Sequence, residues 1–252
     1  MTADYDAGII SSWQECAEAV FDFYTPPKMQ TIENVAPHWQ AMALHLNGQT
    51  LIHVTCVFMA LFRSEDYQAL SARQKILVEW AVLFHDISKV PIHGGHDYVH
   101  GVKSAAVAGQ ALTTLDFPIK PTITDSDIAH WHDLTFNATV YSEAHQETIQ
   151  DSRKFSEIIE GLHAIHHADA YAIVMAVLLH IAIDTDPRYP ILAPISQEDM
   201  KKYITRDALP IIRSMILADG SGWELFTEDQ SADQKRRANV YRVFAEIEKA
   251  IT

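Results

Sequence analysis

The chain has 252 residues, of which 48% are hydrophobic and 21% charged. That balance excludes a disordered or fibrous chain. Nineteen Lys and Arg stand against 33 Asp and Glu, a formal charge of −14, which argues against a long nucleic acid as partner because a phosphate backbone calls for a basic surface. A small anionic substrate stays open, since a bound metal inverts the charge of a pocket.

Two cysteines, Cys16 and Cys56, are too few for a disulfide scaffold and fit a reducing compartment. The N-terminal MTADYDAGII lacks the basic and apolar regions of a signal peptide. The most apolar stretch, Ala170 to Ile183, is interrupted by His180 and is too short to span a bilayer. The expectation is a cytoplasmic protein with no membrane partner. Oligomer formation is left open.

In chain order, a short helix is expected over Ser11 to Tyr24, closed by Thr25-Pro26-Pro27, because proline cannot continue a helix. Leu51 to Phe62 is apolar nearly all round and reads as a buried helix. Gln74 to Ile87 places apolar residues at 76, 77, 80, 83, 84 and 87, one helical face. His100 to Leu115, rich in Ala and Gly, suits close helix packing. Asp125 to Phe136 opens on good N-terminal residues. Asp151 to Ile183 reads as one long helix bent at Gly161 and ended by Pro187. Ser196 to Asp199 and Ser231 to Gln234 resemble capping boxes that open further helices. Period-two strand patterns are weak. The fold class is therefore all-α, with an N-terminal helical extension (1–40), a helical core (41–190) and a C-terminal helical segment packed on it (191–252).

The 14 histidines are an unusually large number. Phe84-His85-Asp86-Ile87-Ser88-Lys89 offers an imidazole and a carboxylate to one small volume at the end of an apolar helix. Such donors suit Zn, Fe, Mn, Ni or Co without choosing among them. His53 sits in the apolar helix before it, His100 follows, then His130-Trp131-His132-Asp133, then His166-His167-Ala168-Asp169. A buried polar group without a partner costs about 1–3 kcal/mol. Several on one bundle point to a shared metal. Lys89, three residues after Asp86, is a candidate phosphate contact. His93 and His96, in the loop carrying Gly94-Gly95, are candidate substrate contacts. No GxGxxG, Walker A, CxxC or nucleophile-elbow pattern is present.

Over roughly residues 45 to 185 this pattern resembles the HD-domain superfamily of metal-dependent phosphohydrolases. The resemblance rests on His53, on the doublet in AVLFHDISK, on HDYVHGVKSAAVA, on IAHWHD and on Asp169 in HHADAY. It implies an HD-domain-like bundle binding one or two divalent transition metals. His53, His85, Asp86 and Asp169 would bind the first, with Asp86 placed to bridge to a second. His100 and either His130 or His132 would complete the second site, and Asp184 rivals Asp169. Ser88 stands where the family often has Gly. The implied activity is hydrolysis of a small phosphate ester, a nucleotide being the leading candidate, with Asp86 orienting a metal-activated water and Lys89 contacting phosphate. A di-iron oxygenase and a non-catalytic, metal-stabilised regulatory module are the alternatives.

Overall fold

A computed structural model describes residues 1–90, 96–186 and 191–251. The helices, in order, are α1 (Thr2–Asp6), α2 (Trp13–Phe23), α3 (Pro26–Glu33), α4 (Trp39–Leu44), α5 (Gln49–Arg63), α6 (Glu65–Ala69), α7 (Ala72–Phe84), α8 (His100–Leu112) and α9 (Asp125–Phe136). A hairpin of β1 (Thr139–Ser142) and β2 (Glu147–Gln150) follows. The chain closes with α10 (Phe155–Ile165), α11 (Ala168–Leu179), α12 (Gln197–Tyr203), α13 (Leu209–Glu224) and α14 (Ser231–Ala250). The protein is predominantly α-helical.

Local chemistry sets the helix starts. Ser12 caps α2 by accepting from the Glu15 amide. Reciprocal capping boxes open α7 (Ser71 with Gln74) and α9 (Thr124 with Asp127). Ser196 caps α12, as expected from the sequence. Ser231 does not cap α14; Gln230 occupies that position without a capping side-chain bond.

α11 is the central helix. Every residue from Ala170 to Leu179 is buried, because its apolar surface runs all the way round. It packs on α7, α8 and α13, and α13 packs in turn on α5, α7 and α14. The segment after residue 190 therefore contributes a helix to the same core.

The long helix expected over Asp151 to Ile183 breaks at His166, not at Gly161. His166 is extended (φ −100°, ψ 152°) and bridges to Ile119. Gly161 stays inside α10, where an added Cβ would lie 2.6 Å from Trp131 Cδ1. On the far side of the same indole, a Cβ on Gly109 would lie 2.3 Å from Trp131 Cζ3. Both glycines are there for the indole, not for a bend.

The hairpin is antiparallel, pairing Thr139 with Gln150 and Ser142 with Glu147. Four residues per strand give too short a run for alternation to register in the sequence. The segment Trp39–Arg63 is long and apolar enough to cross a membrane by length and composition alone, but 61% of its apolar window is buried. It is also broken by left-handed backbone at Leu46 and Asn47 (φ 49° and 56°).

Candidate metal centre

His85 and Asp86 follow directly on the last turn of α7, at 0% and 1% exposure. His53 comes from α5, His100 from the first turn of α8, His180 from the residue after α11 and Asp219 from α13. Their donor atoms form two groups. His53, His85 and Asp219 make one; Asp86, His100 and His180 make the other, with ligand atoms in each within 4.8 Å of one another.

Asp86 lies between the groups. Its Oδ2 faces His53 Nε2 at 3.7 Å and His85 Nε2 at 3.6 Å, while its Oδ1 faces His100 Nε2 at 3.2 Å. In the first group, Asp219 Oδ1 is 2.9 Å from His53 Nε2 and 3.7 Å from His85 Nε2.

The backbone fixes three of the imidazoles. Nδ1 of His85 donates to the Val82 carbonyl at 2.7 Å, that of His100 to Asp97 at 2.5 Å and that of His180 to Val177 at 2.6 Å. A carbonyl can only accept, so each Nδ1 carries its proton. In the neutral rings each Nε2 is therefore a bare lone pair. His100 Nε2 and His180 Nε2 stand 3.1 Å apart, two lone pairs aimed at each other. Such an arrangement is repulsive unless a cation or a proton lies between them. His85 Nε2, Asp86 Oδ1 and His53 Nδ1 are buried without a hydrogen-bond partner, and each such group costs about 1–3 kcal/mol if left so. The donor set fits a divalent transition metal. Pinning Nδ1 to a carbonyl is how metal-binding imidazoles are held in the right tautomer.

Electrostatics agree with the geometry. Burial pushes His53 and His100 below the ordinary imidazole range, and His180 down to about 3. These rings are neutral at pH 7 and can ligate. Burial works to raise the Asp86 carboxyl, but the Lys89 ammonium, joined at low pH by His85, His100 and His53 once they are protonated, outweighs it and holds it well below the usual range. Lys89 Nζ lies 2.8 Å from Asp86 Oδ2. α7 and α11 both end at the cluster, and the negative end of a helix dipole favours a cation there.

The structure brings together His53, His85, Asp86 and His100 of the residues singled out in the sequence. Lys89 joins them through its contact with Asp86, and the other described candidates lie elsewhere. Asp169, in the first turn of α11, is at the opposite end of that helix and pairs with Arg73. Asp184 is exposed. His130 is exposed, and His132 stacks on Phe136 and contacts Asp133 at 3.3 Å. The indole at Trp131, between them, takes the buried face of α9, which leaves its neighbours facing outward. His96 is exposed beside Tyr98, with ring centroids 5.7 Å apart. His93 lies outside the described residues. The α7 helix stops at Phe84, so Lys89 reaches Asp86 through a turn and not along a helix face.

Sequence reasoning missed His180 and Asp219. A signal existed for each. Val177-Leu-Leu-His180 repeats the context of Val82-Leu-Phe-His85, an imidazole at the end of an apolar run. Ala218-Asp219 carries the same dipeptide as Ala168-Asp169.

The fold and the cluster define a helical protein with buried His and Asp groups able to hold a metal ion, an arrangement compatible with an HD-like site. No protein-family model, curated protein or solved structure matches the chain.

Proposed function

We propose that the protein is a metal-dependent phosphohydrolase of HD type acting on a small phosphate ester. The observation that carries this reading is the pair of three-donor groups with one oxygen of Asp86 turned toward each. His53, His85 and Asp219 would hold one divalent ion; His100, His180 and Asp86 would hold a second. Bound there, a metal supplies Lewis acidity and a water acidic enough to act as a nucleophile near neutral pH.

The protein's own groups bind and orient the substrate. Lys89 is 25% exposed while its ammonium touches the buried Asp86, so it links the cluster to solvent. Burial disfavours its charge, but Asp86 and Asp219 outweigh that and raise its pKa above the ordinary value. It stays an ammonium at neutral pH, a point charge for a phosphate oxygen and not a base. Trp223 stacks on His53 at 4.0 Å between centroids and is 49% exposed. Trp13 and the Lys89 ammonium also lie near this indole; its exposed part beside Lys89 suits a planar group such as a nucleobase, which supports a nucleotide as the substrate.

The same four imidazoles and two carboxylates are also a donor set that a di-iron oxygenase would use. Elemental analysis of the purified protein, paired with a screen of nucleotides and sugar phosphates under Mn, Fe, Co, Ni and Zn, separates the readings. Phosphate release that needs the metal is the expected result. Full metal occupancy with no turnover would favour a regulatory module, and two irons with dioxygen-dependent redox spectra would favour the oxygenase.

A further inference from the structure

α7, α11 and α13 run in the same direction. Their C-terminal portions supply His85, Asp86, His180 and Asp219 to the metal centre. Their N-terminal ends meet at a cavity of about 460 Å3. Arg73 and His85 are separated by the length of α7, which puts the cavity roughly 18 Å from the cluster at 1.5 Å per residue.

The chemistry of the cavity is the reverse of that at the cluster. Arg73, Lys120 and Arg206 line it, three of only 19 basic residues in an acidic chain. Arg73 is paired with Asp169, and Lys120 Nζ donates to the carbonyl of His163. Among the described residues neither Lys120 nor Arg206 has an ion-pair partner, and Asp207 is the one carboxylate on the wall. The wall therefore carries net positive charge. His166 also lines the cavity; it is 2% exposed and neither ring nitrogen has a hydrogen-bond partner.

Backbone polarity adds to this. α11 begins at the cavity without a side-chain cap, so its first-turn amides have no acceptor from a capping side chain; at α13 the Ala208 and Leu209 amides are taken by Thr205 and position 210 is proline. Helix N-termini attract anions through these amides and the helix dipole. Leu77, Tyr171 and Ile211 supply an apolar wall, and the volume falls within the roughly 300–1,000 Å3 of small-molecule sites.

We infer that this cavity is a second binding site, for a small organic phosphate, distinct from the metal centre. The cations and the first-turn amides of α11 receive the phosphate, and the apolar wall receives the organic part.

The probe is phenylphosphonate, whose C–P bond resists hydrolysis, titrated calorimetrically into the full-length protein with a chelator present. The site predicts one-to-one binding that is weakened by salt, tighter than inorganic phosphate, and retained in His85→Ala. Combining Lys120→Ala with Arg206→Glu should weaken binding at least tenfold. Ala168→Trp, which fills the cavity from an exposed position without removing a charge, should block it. Both variants are checked by thermal melting. Binding that vanishes on chelation, survives both variants when they melt like the wild type, or is undetectable at millimolar probe overturns the assignment. The chelator arm keeps this result separate from the metal-centre reading, which can fail while the cavity still binds.

Discussion

Asp219 Oδ1 lies 2.9 Å from His53 Nε2, although 166 positions separate them in the chain. Burial works to raise the Asp219 carboxyl, but the hydrogen bond from His53 and the nearby His85 and His180 hold it below the usual carboxylate range. An ionised carboxylate thus faces His53 and His85. Replacing it by Ala removes a first-group donor while leaving α13 intact, since Ala is a good helix former. Asp219→Ala should lower the metal content by about one ion per chain with unchanged circular dichroism. Undiminished metal content would remove Asp219 from the centre.

Asp169→Ala is the matched control. Its pair with Arg73 is between side chains 51% and 37% exposed, and exposed pairs contribute about 0–1 kcal/mol. The variant should keep its metal and lose no more than that in denaturant unfolding. Loss of metal in this variant would place a ligand at the wrong end of α11.

Lys89→Ala tests substrate binding apart from metal binding. A protonated ammonium has no metal affinity, so the metal should stay. One charge-assisted contact is worth roughly 1.5–3 kcal/mol, so catalytic efficiency on phosphate esters should fall about 10- to 100-fold. Wild-type kinetics would make Lys89 only the neutralising partner of Asp86.

His166 predicts an acid sensitivity that owes nothing to metal. Burial pushes its pKa down to about 4, helped by His167 and opposed by the Gly109 backbone, which is near the ring without a formed hydrogen bond. The unfolded value is near 6.5. Between those values the unfolded chain binds a proton that the folded chain refuses, so stability rises with pH there. The contribution is complete above about pH 6.5 and is lost as pH falls toward 4, on the order of 3 kcal/mol in all. In chelator, His166→Phe should flatten the pH dependence of unfolding over that window. An unchanged slope would assign the sensitivity to other groups.

The helical class was legible because apolar spacing and N-terminal caps are local signals, as in the Ser196 to Asp199 cap that opens α12. So was the neighbourhood of His53, His85, Asp86 and His100, each set in an apolar helix where an unpaired imidazole or carboxylate would be costly. The partners of those residues were not. His180 closes α11 at one end and Asp169 opens it at the other, and a sequence written in a line does not say which end points inward. Asp219 depends on α13 packing between α5 and α11, a relation of tertiary structure. The break at His166 comes from its pairing with Ile119, which no local propensity records.

The clasp around Trp131 has a consequence for how this sequence can drift. One indole occupies the space that side chains at 109 and 161 would need, and its Nε1 donates to the Ile158 carbonyl at 2.8 Å. Positions on three helices are thereby bound into one unit of inheritance. A methyl group gained at either glycine becomes tolerable only after the indole has shrunk, and a shrunken indole leaves a void between α8 and α10 that the glycines alone cannot close. A change at either glycine should therefore appear only alongside a smaller residue at position 131, and Gly109→Ala should be deleterious in this background yet mild beside Trp131→Leu.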